Sequence, residues 1–278
     1  MHRTNPAWLP ASGSGIDCSM GHAMRLRVLG CAGGIGGRER LTTSLLIDDD
    51  ILLDAGTGMT SLDLDQLVRI DHVFITHSHL DHVAGLAFLL DAVLGKRDGP
   101  VTVYATDKVI AALKKHLFNW VLWPDFAAIP DAGNAILRWQ PIMHNSPVAL
   151  QGRRISAHPV NHTVGSSAYW VHNDQAGFLF TGDMTSTPEL WSAFAQEPRL
   201  KKVIVDCSFA NADAELADKS LHFCPQTLLA DIELVSKSVE FLIYHLKPGH
   251  EDLIMRELEN ASSTRAFRAL KCGDVFDF

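Results

Sequence analysis

Cysteine is scarce in this chain, and the little there is follows no pairing pattern. Five occur in 278 residues, Cys18, Cys31, Cys207, Cys224 and Cys272, with no CxxC spacing among them. An odd number without a framework argues against structural disulfides and for a reducing compartment. Each reads as a small buried hydrophobe. No apolar run reaches the roughly eighteen residues that a membrane-spanning helix needs. The opening MHRTNPAWLPASGSGIDCSMGHAM lacks the apolar stretch of a signal peptide, so a cytoplasmic protein is expected. Long basic runs are missing as well. Lys and Arg number 24 against 32 Asp and Glu, for a formal charge of −8. The short groups Lys114–Lys115, Arg153–Arg154 and Arg199–Lys202 read as solvated faces, which excludes an extended nucleic-acid surface. A small anion held at a local positive centre stays open. The glycine-rich GCAGGIGG at 30–37 has neither the Lys-Ser/Thr ending of a P-loop nor the GxGxxG spacing before a clear helix. It reads as a turn that lets backbone approach a site closely. Internal repeats, low-complexity tracts and linkers are absent, so residues 25–278 are expected to form one domain behind an irregular stretch at 1–24.

The hydrophobic pattern gives strands first, then alternating units. Arg25–Leu29 reads as a strand, and TTSLLID and DILLDAG read as a hairpin around Asp48–Asp50. DHVFITH is a strand, AGLAFLLDAVLG a helix closed by Gly95, VTVYA a strand, and TDKVIAALKKHLFN a helix with Thr106 as N-cap. ISAHPV, SAYWVH, GFLFTGD, KKVIVDCSF and VEFLIYHL follow as strands, with TPELWSAFAQ, CPQTLLADIELVSKS and HEDLIMRELEN as helices. The order predicts an α/β protein, two sheets packed together with helices outside, in αββα layers.

Histidine carries the chemistry. THSHLDH at 76–82 places His77, His79, Asp81 and His82 where a strand turns into a helix. Imidazole and carboxylate are common zinc ligands, and four of them are too many for one centre with an open position, so the spacing points to a metal pair. Further donors stand at strand ends: His158 and His162 in HPVNHTVGSSAYW, Asp183 in FLFTGDM and His245 in FLIYHLKPGH. His250 reads as a helix-start residue, and His2, His22, His72, His116, His144 and His172 as surface or ordinary core histidines.

In its order of motifs, HSHLDH, the His162 segment, TGD and the His245 segment, the chain resembles the metallo-β-lactamase superfamily from about Arg25 onward. The resemblance implies an αββα fold and a dinuclear centre. His77, His79 and His162 would hold one cation, Asp81, His82 and His245 the other, and Asp183 would bridge them. His158, the rival of His162, would be its neighbour. A histidine at 79, where flavodiiron relatives have glutamate, favours zinc over a redox di-iron pair, with manganese or iron as alternatives.

Within that superfamily, HSHLDHVAGLAFLLDA, TTSLLID, LLDAGTG, FNWVLWPDF, HTVGSSAYWV, TGDM, VDCSFAN, LHFCPQTLL and YHLKP resemble the class II cyclic-nucleotide phosphodiesterases. This implies hydrolysis of cAMP or cGMP to the 5′-nucleotide, with a metal-bridging hydroxide attacking phosphorus in line with the 3′ oxygen. Asp81 would orient that nucleophile. His222 would contact the phosphate or donate a proton to the leaving oxygen, and Ser208 and Asn211 would line the pocket. Thr43 and Ser44 are weaker candidates, and Trp120, Trp123 and Phe126 read as core before base-stacking residues. The chain departs from the family at Asp91-Ala92, and at Leu221-His222-Phe223-Cys224-Pro225, where Gly-His-Leu-Thr-Pro is usual; the second change bears on substrate preference. Among rivals, a tRNA 3′-processing nuclease needs a basic arm that is missing, a glyoxalase II-like thioesterase needs a longer C-terminal region, and a secreted β-lactamase needs a signal peptide. A metal-binding sensor without catalysis is the reading from another class. The partner expected is a small phosphodiester, with no membrane, and a homodimer is compatible with the sequence.

Overall fold

The computed structural model describes residues 23–278 apart from 38, 39 and 263. The N-terminal stretch, with Cys18, His2 and His22, lies outside them. In the first half run β1 (Arg25–Gly30), β2 (Ser44–Ile47), β3 (Ile51–Leu53), α1 (Leu64–Val68), β4 (His72–Phe74), α2 (Leu80–Val93), β5 (Val101–Ala105), α3 (Asp107–His116) and β6 (Leu137–Pro141). The second half holds β7 (Val148–Leu150), β8 (Arg153–Pro159), β9 (Ser167–His172), β10 (Gly177–Phe180), α4 (Pro188–Phe194) and β11 (Leu200–Asp206). It continues with α5 (Ala214–Ser220), α6 (Pro225–Asp231), β12 (Glu240–Tyr244), α7 (Glu251–Ala261), β13 (Phe267–Ala269) and β14 (Val275–Asp277). The strands form two seven-stranded sheets, ordered β14-β1-β2-β3-β4-β5-β6 and β13-β12-β11-β10-β9-β8-β7.

Strand alternation builds three apolar layers. In β9, Tyr169 and Val171 face the other sheet and pack with Leu26, Leu45, Leu53 and Phe74. Ala168 and Trp170 point the opposite way, toward Leu190 and Phe194 of α4. The outer face of the first sheet carries α2, which buries Val83, Leu86, Leu89, Leu90 and Val93. Each fully buried aliphatic or aromatic side chain contributes roughly 1.5–3 kcal/mol. The layers are therefore α, β, β, α.

Several details differ from the sequence reading. The helix expected from residue 84 begins at Leu80, inside the histidine motif, and His79 is its N-cap residue. The helix expected over 224–238 stops at Asp231 and passes into a 3-10 turn at Ile232–Leu234. Its end is held from far away, because the Arg265 guanidinium donates to the carbonyls of Ile232 (2.6 Å) and Val235 (2.8 Å). Arg153 is no surface charge. It is 2% exposed and forks onto Asp50 at 2.5 and 2.8 Å and onto Asp48 at 2.9 Å, tying β8 to the β2–β3 turn. Strands β6, β7, β13 and β14 and helices α1 and α5 escaped the sequence pattern. No described helix is long and apolar enough to cross a membrane.

Candidate metal centre

The ligand-type side chains leave the C-terminal ends of strands from both sheets. His77, His79, Asp81 and His82 follow β4, His162 follows β8, Asp183 follows β10 and His245 follows β12. Their donor atoms gather into two groups that share Asp183: His77, His79, His162 and Asp183, and Asp81, His82, Asp183 and His245. Within each group the atoms lie within 4.8 Å of one another.

A buried carboxylate organises the motif. Asp54 accepts from the Thr76 N–H and hydroxyl, both at 2.8 Å, and from His82 Nδ1 at 2.7 Å. His77 Nδ1 donates to Thr76 Oγ1 at 3.0 Å, His162 Nδ1 to the Leu221 carbonyl at 3.0 Å, and His245 Nδ1 to Ser208 Oγ at 2.7 Å. Each bond fixes the tautomer and turns the Nε2 lone pair inward. Asp183 meets those lone pairs: its oxygens lie 3.2 Å from His245 Nε2, 3.3 Å from His82, 3.8 Å from His77 and 3.9 Å from His162. Tyr244 donates to Asp183 Oδ1 at 2.7 Å and holds the carboxylate in place.

This donor set calls for cations. His77 Nε2 is buried without a hydrogen-bond partner. His162 Nε2 stands 3.3 Å from His79 Nδ1. His245 Nε2, its other nitrogen already committed, faces carboxylate oxygens of Asp81 at 3.1 Å and Asp183 at 3.2 Å. Lone pairs crowded this closely repel unless positive charge lies among them. Nitrogen and carboxylate donors with one open side suit divalent zinc, manganese or iron. The titration shifts express the same field. Burial lowers His77 well below the ordinary range, and the charge of His82 adds to it. Burial also lowers His162 and His79. Burial would depress His82 too, but Asp183 and Asp54 raise it well above its usual value. Asp183, against its own burial, is held well below the carboxylate range by His245 and His82.

A second constellation adjoins the first. His222 Nδ1 donates to Asp206 Oδ2 at 2.6 Å, while Ser208 Oγ, receiving from His245, donates to Asp206 Oδ1 at 2.6 Å. One carboxylate thus orients two imidazoles, whose rings stack at 5.0 Å. Burial opposes protonation of His222, yet Asp206 raises it above its ordinary value.

Ser208, wholly buried, has its hydroxyl engaged behind His245. Asn211 Oδ1 accepts from the Gln226 N–H at 2.9 Å, at the start of α6. Thr43 Oγ1 approaches His82 Nε2 at 3.5 Å, and Ser44 is fully buried on β2. His158 lies outside both groups, against Ser156 and Phe194. His250 pairs with Asp213 at 3.6 Å. Phe126 is core, Trp123 packs against the core and Phe88, and Trp120 is 64% exposed. Asp54, Asp206 and Tyr244 were not singled out from the sequence. Both acids end apolar strands, LLD and VIVD, the same signal that marked Asp183.

Backbone strain sits at the same place. His245 takes a left-handed φ of 61°, held by its N–H on the Cys31 carbonyl at 2.8 Å. A Cβ on Gly33 would lie 2.2 Å from the His245 carbonyl oxygen, so the glycine-rich loop passes there as bare backbone. Leu221 is left-handed too, at φ 57° and ψ 48°, and occupies the position where glycine is usual in the related motif. That conformation costs a residue with a Cβ about 1–2 kcal/mol. Leu221→Gly is expected to stabilise the protein by about 1 kcal/mol, after the entropy glycine loses on folding; urea unfolding measures it, and a destabilised variant would show that the leucine side chain outweighs the strain.

Residues 50–245 match the family model described as a beta-lactamase superfamily domain. The chain belongs to this superfamily. Among curated proteins it is 28% identical over 251 residues to the 3′,5′-cyclic-nucleotide phosphodiesterase of Schizosaccharomyces pombe, covering 76% of this chain and 70% of that one. It is 30% identical over 208 residues to the enzyme of the same name from Aliivibrio fischeri, covering 64% and 60%. The chain thus spans about two thirds of the length of these relatives. The crystal structure of unliganded yeast PDE1 superposes with a TM-score of 0.72 at 18% identity, over 89% of this chain and 96% of that one, a likeness of fold. The two sheets with their outer helices are the metallo-β-lactamase fold.

Proposed function

We propose that residues 25–278 form a single hydrolase domain that converts 3′,5′-cyclic nucleotides to 5′-nucleotides with two divalent cations, zinc in the first instance. The observation that carries the reading is Asp183, set among four imidazole Nε2 atoms. The names of the curated relatives supply the substrate class. His77, His79 and His162 would hold one cation and Asp81, His82 and His245 the other, with Asp183 between them. When bound, such a pair lowers the pKa of a water and offsets the charge of the phosphodiester. The chain's own groups do the rest. Asp81, about one-third exposed at the open side, orients the attacking water by accepting a hydrogen bond from it. His222, tied at Nδ1 to Asp206, has Nε2 left to protonate the departing 3′ oxygen. Ser208 holds His245 in register.

The test is incubation of zinc- and manganese-loaded protein with 3′,5′-cAMP, 3′,5′-cGMP and bis(p-nitrophenyl) phosphate, each product identified. Formation of 5′-AMP or 5′-GMP is expected. Hydrolysis of the synthetic diester alone would overturn the cyclic-nucleotide assignment and leave a phosphodiesterase of another substrate. Inertness of the loaded protein toward all three would favour a sensor.

A further inference from the structure

A cavity of about 690 Å³ opens behind the glycine-rich loop, walled by Arg40, Leu246, Glu251 and Lys271. Cys31 and Cys272 both line it, and their thiols are in hydrogen-bond contact. Cys31 also bonds through sulfur to the Leu270 carbonyl at 3.2 Å, so the segment after β13 lies directly against the end of β1. The two thiols differ in access. Cys31 is 8% exposed, whereas Cys272 is half-buried. The Cys31 hydrogen bond, working against burial, brings the Cys272 thiol down to about 6. The remaining described cysteines, Cys207 and Cys224, are fully buried elsewhere. Cys31 bears on the metal centre through its main chain: its carbonyl accepts the His245 N–H at 2.8 Å.

We propose that Cys31 and Cys272 are a peroxide-sensitive dithiol whose disulfide displaces His245. The Cys272 thiolate attacks one oxygen of hydrogen peroxide; the O–O bond breaks, hydroxide leaves, and a sulfenic acid forms. The Cys31 sulfur then attacks the sulfenic sulfur; the S–O bond breaks, and water leaves with the Cys31 proton. Two thiols lose two electrons and two protons, and the peroxide ends as two waters. Contraction from hydrogen-bond contact to an S–S length of about 2.0 Å pulls on the Cys31 backbone. His245 has little freedom to absorb that pull, being left-handed and pressed against Gly33.

The experiment treats the full-length, zinc-loaded protein with hydrogen peroxide. Disulfides are mapped by peptide mass, bound zinc is counted, and hydrolysis of bis(p-nitrophenyl) phosphate is followed. A Cys31–Cys272 bond is expected, with a fall in rate of about tenfold or more, the scale of a misplaced active-site group. Dithiothreitol should reverse both. Cys272→Ser should match the untreated wild type and keep its rate under peroxide. A bond to another cysteine, Cys18 included, or over-oxidation of Cys272 without a bond, would overturn the dithiol. A mapped bond with unchanged zinc and rate would overturn the link to His245. Mapping and zinc content decide these points even if no diester is hydrolysed, so the outcome does not depend on the function proposed above. Mapping in the wild type needs no variant to fold.

Discussion

Asp183→Asn is expected to remove both cations and, with them, hydrolysis, while leaving the chain folded. The asparagine keeps the shape, and its carbonyl oxygen can still accept the Tyr244 hydroxyl that Asp183 accepts at 2.7 Å. What disappears is the negative charge shared by both donor groups. Losing an outer hydrogen-bond partner costs a metal site roughly 10–100-fold in affinity, and losing a shared anionic ligand should cost more. Metal analysis after gel filtration, beside a circular dichroism spectrum, measures this. Two cations retained at wild-type affinity would show that Asp183 does not bridge. Asp81→Ala separates the roles further: it should abolish diester hydrolysis in a folded protein, and retained turnover would sink Asp81 as the group that orients water.

His222→Ala should lower turnover by about 10²–10⁴-fold, the range of a lost general acid, with both cations still bound. Asp206→Asn should produce a smaller fall, because His222 remains but loses the carboxylate that holds its Nδ1 at 2.6 Å. The double variant should fall below His222→Ala by less than the two single losses combined, since Asp206 acts mainly through His222 but also holds Ser208 behind His245. Turnover at saturating substrate, together with metal content, reads all three. Loss of metal in His222→Ala would make that residue a ligand, as its grouping with Asp206 and His245 also allows geometrically. A fully active Asp206→Asn would remove the positioning role.

The seven donor residues were legible because metal chemistry restricts residue type, and strand ends restrict place. THSHLDH follows β4, and TGD and YHL follow β10 and β12, each at the end of a strand buried on both faces. Asp54 was passed over because its signal, an acid ending an apolar strand, equally fits a hairpin in the first sheet; only the bond to His82 across 28 positions reveals its part. Asp206 was hidden for the same reason, since its partner His222 lies 16 residues ahead. Ser208 was read as a pocket residue, and only its bond to His245, 37 residues ahead, shows the part it plays behind that imidazole. The three-residue strands β7, β13 and β14 are too short for periodicity to register. Helix α6 was overextended because its stop is imposed by Arg265, more than thirty residues on.

Each donor group draws two residues from the first sheet and two from the second: His77 and His79 with His162 and Asp183, and Asp81 and His82 with Asp183 and His245. During folding, neither half of the chain owns a site. Cations held there would need both sheets docked to bind and would resist their separation. Metal that prefers the native state would lift the unfolding midpoint with concentration. A chelator would weaken the seam between the layers before it touched either layer by itself.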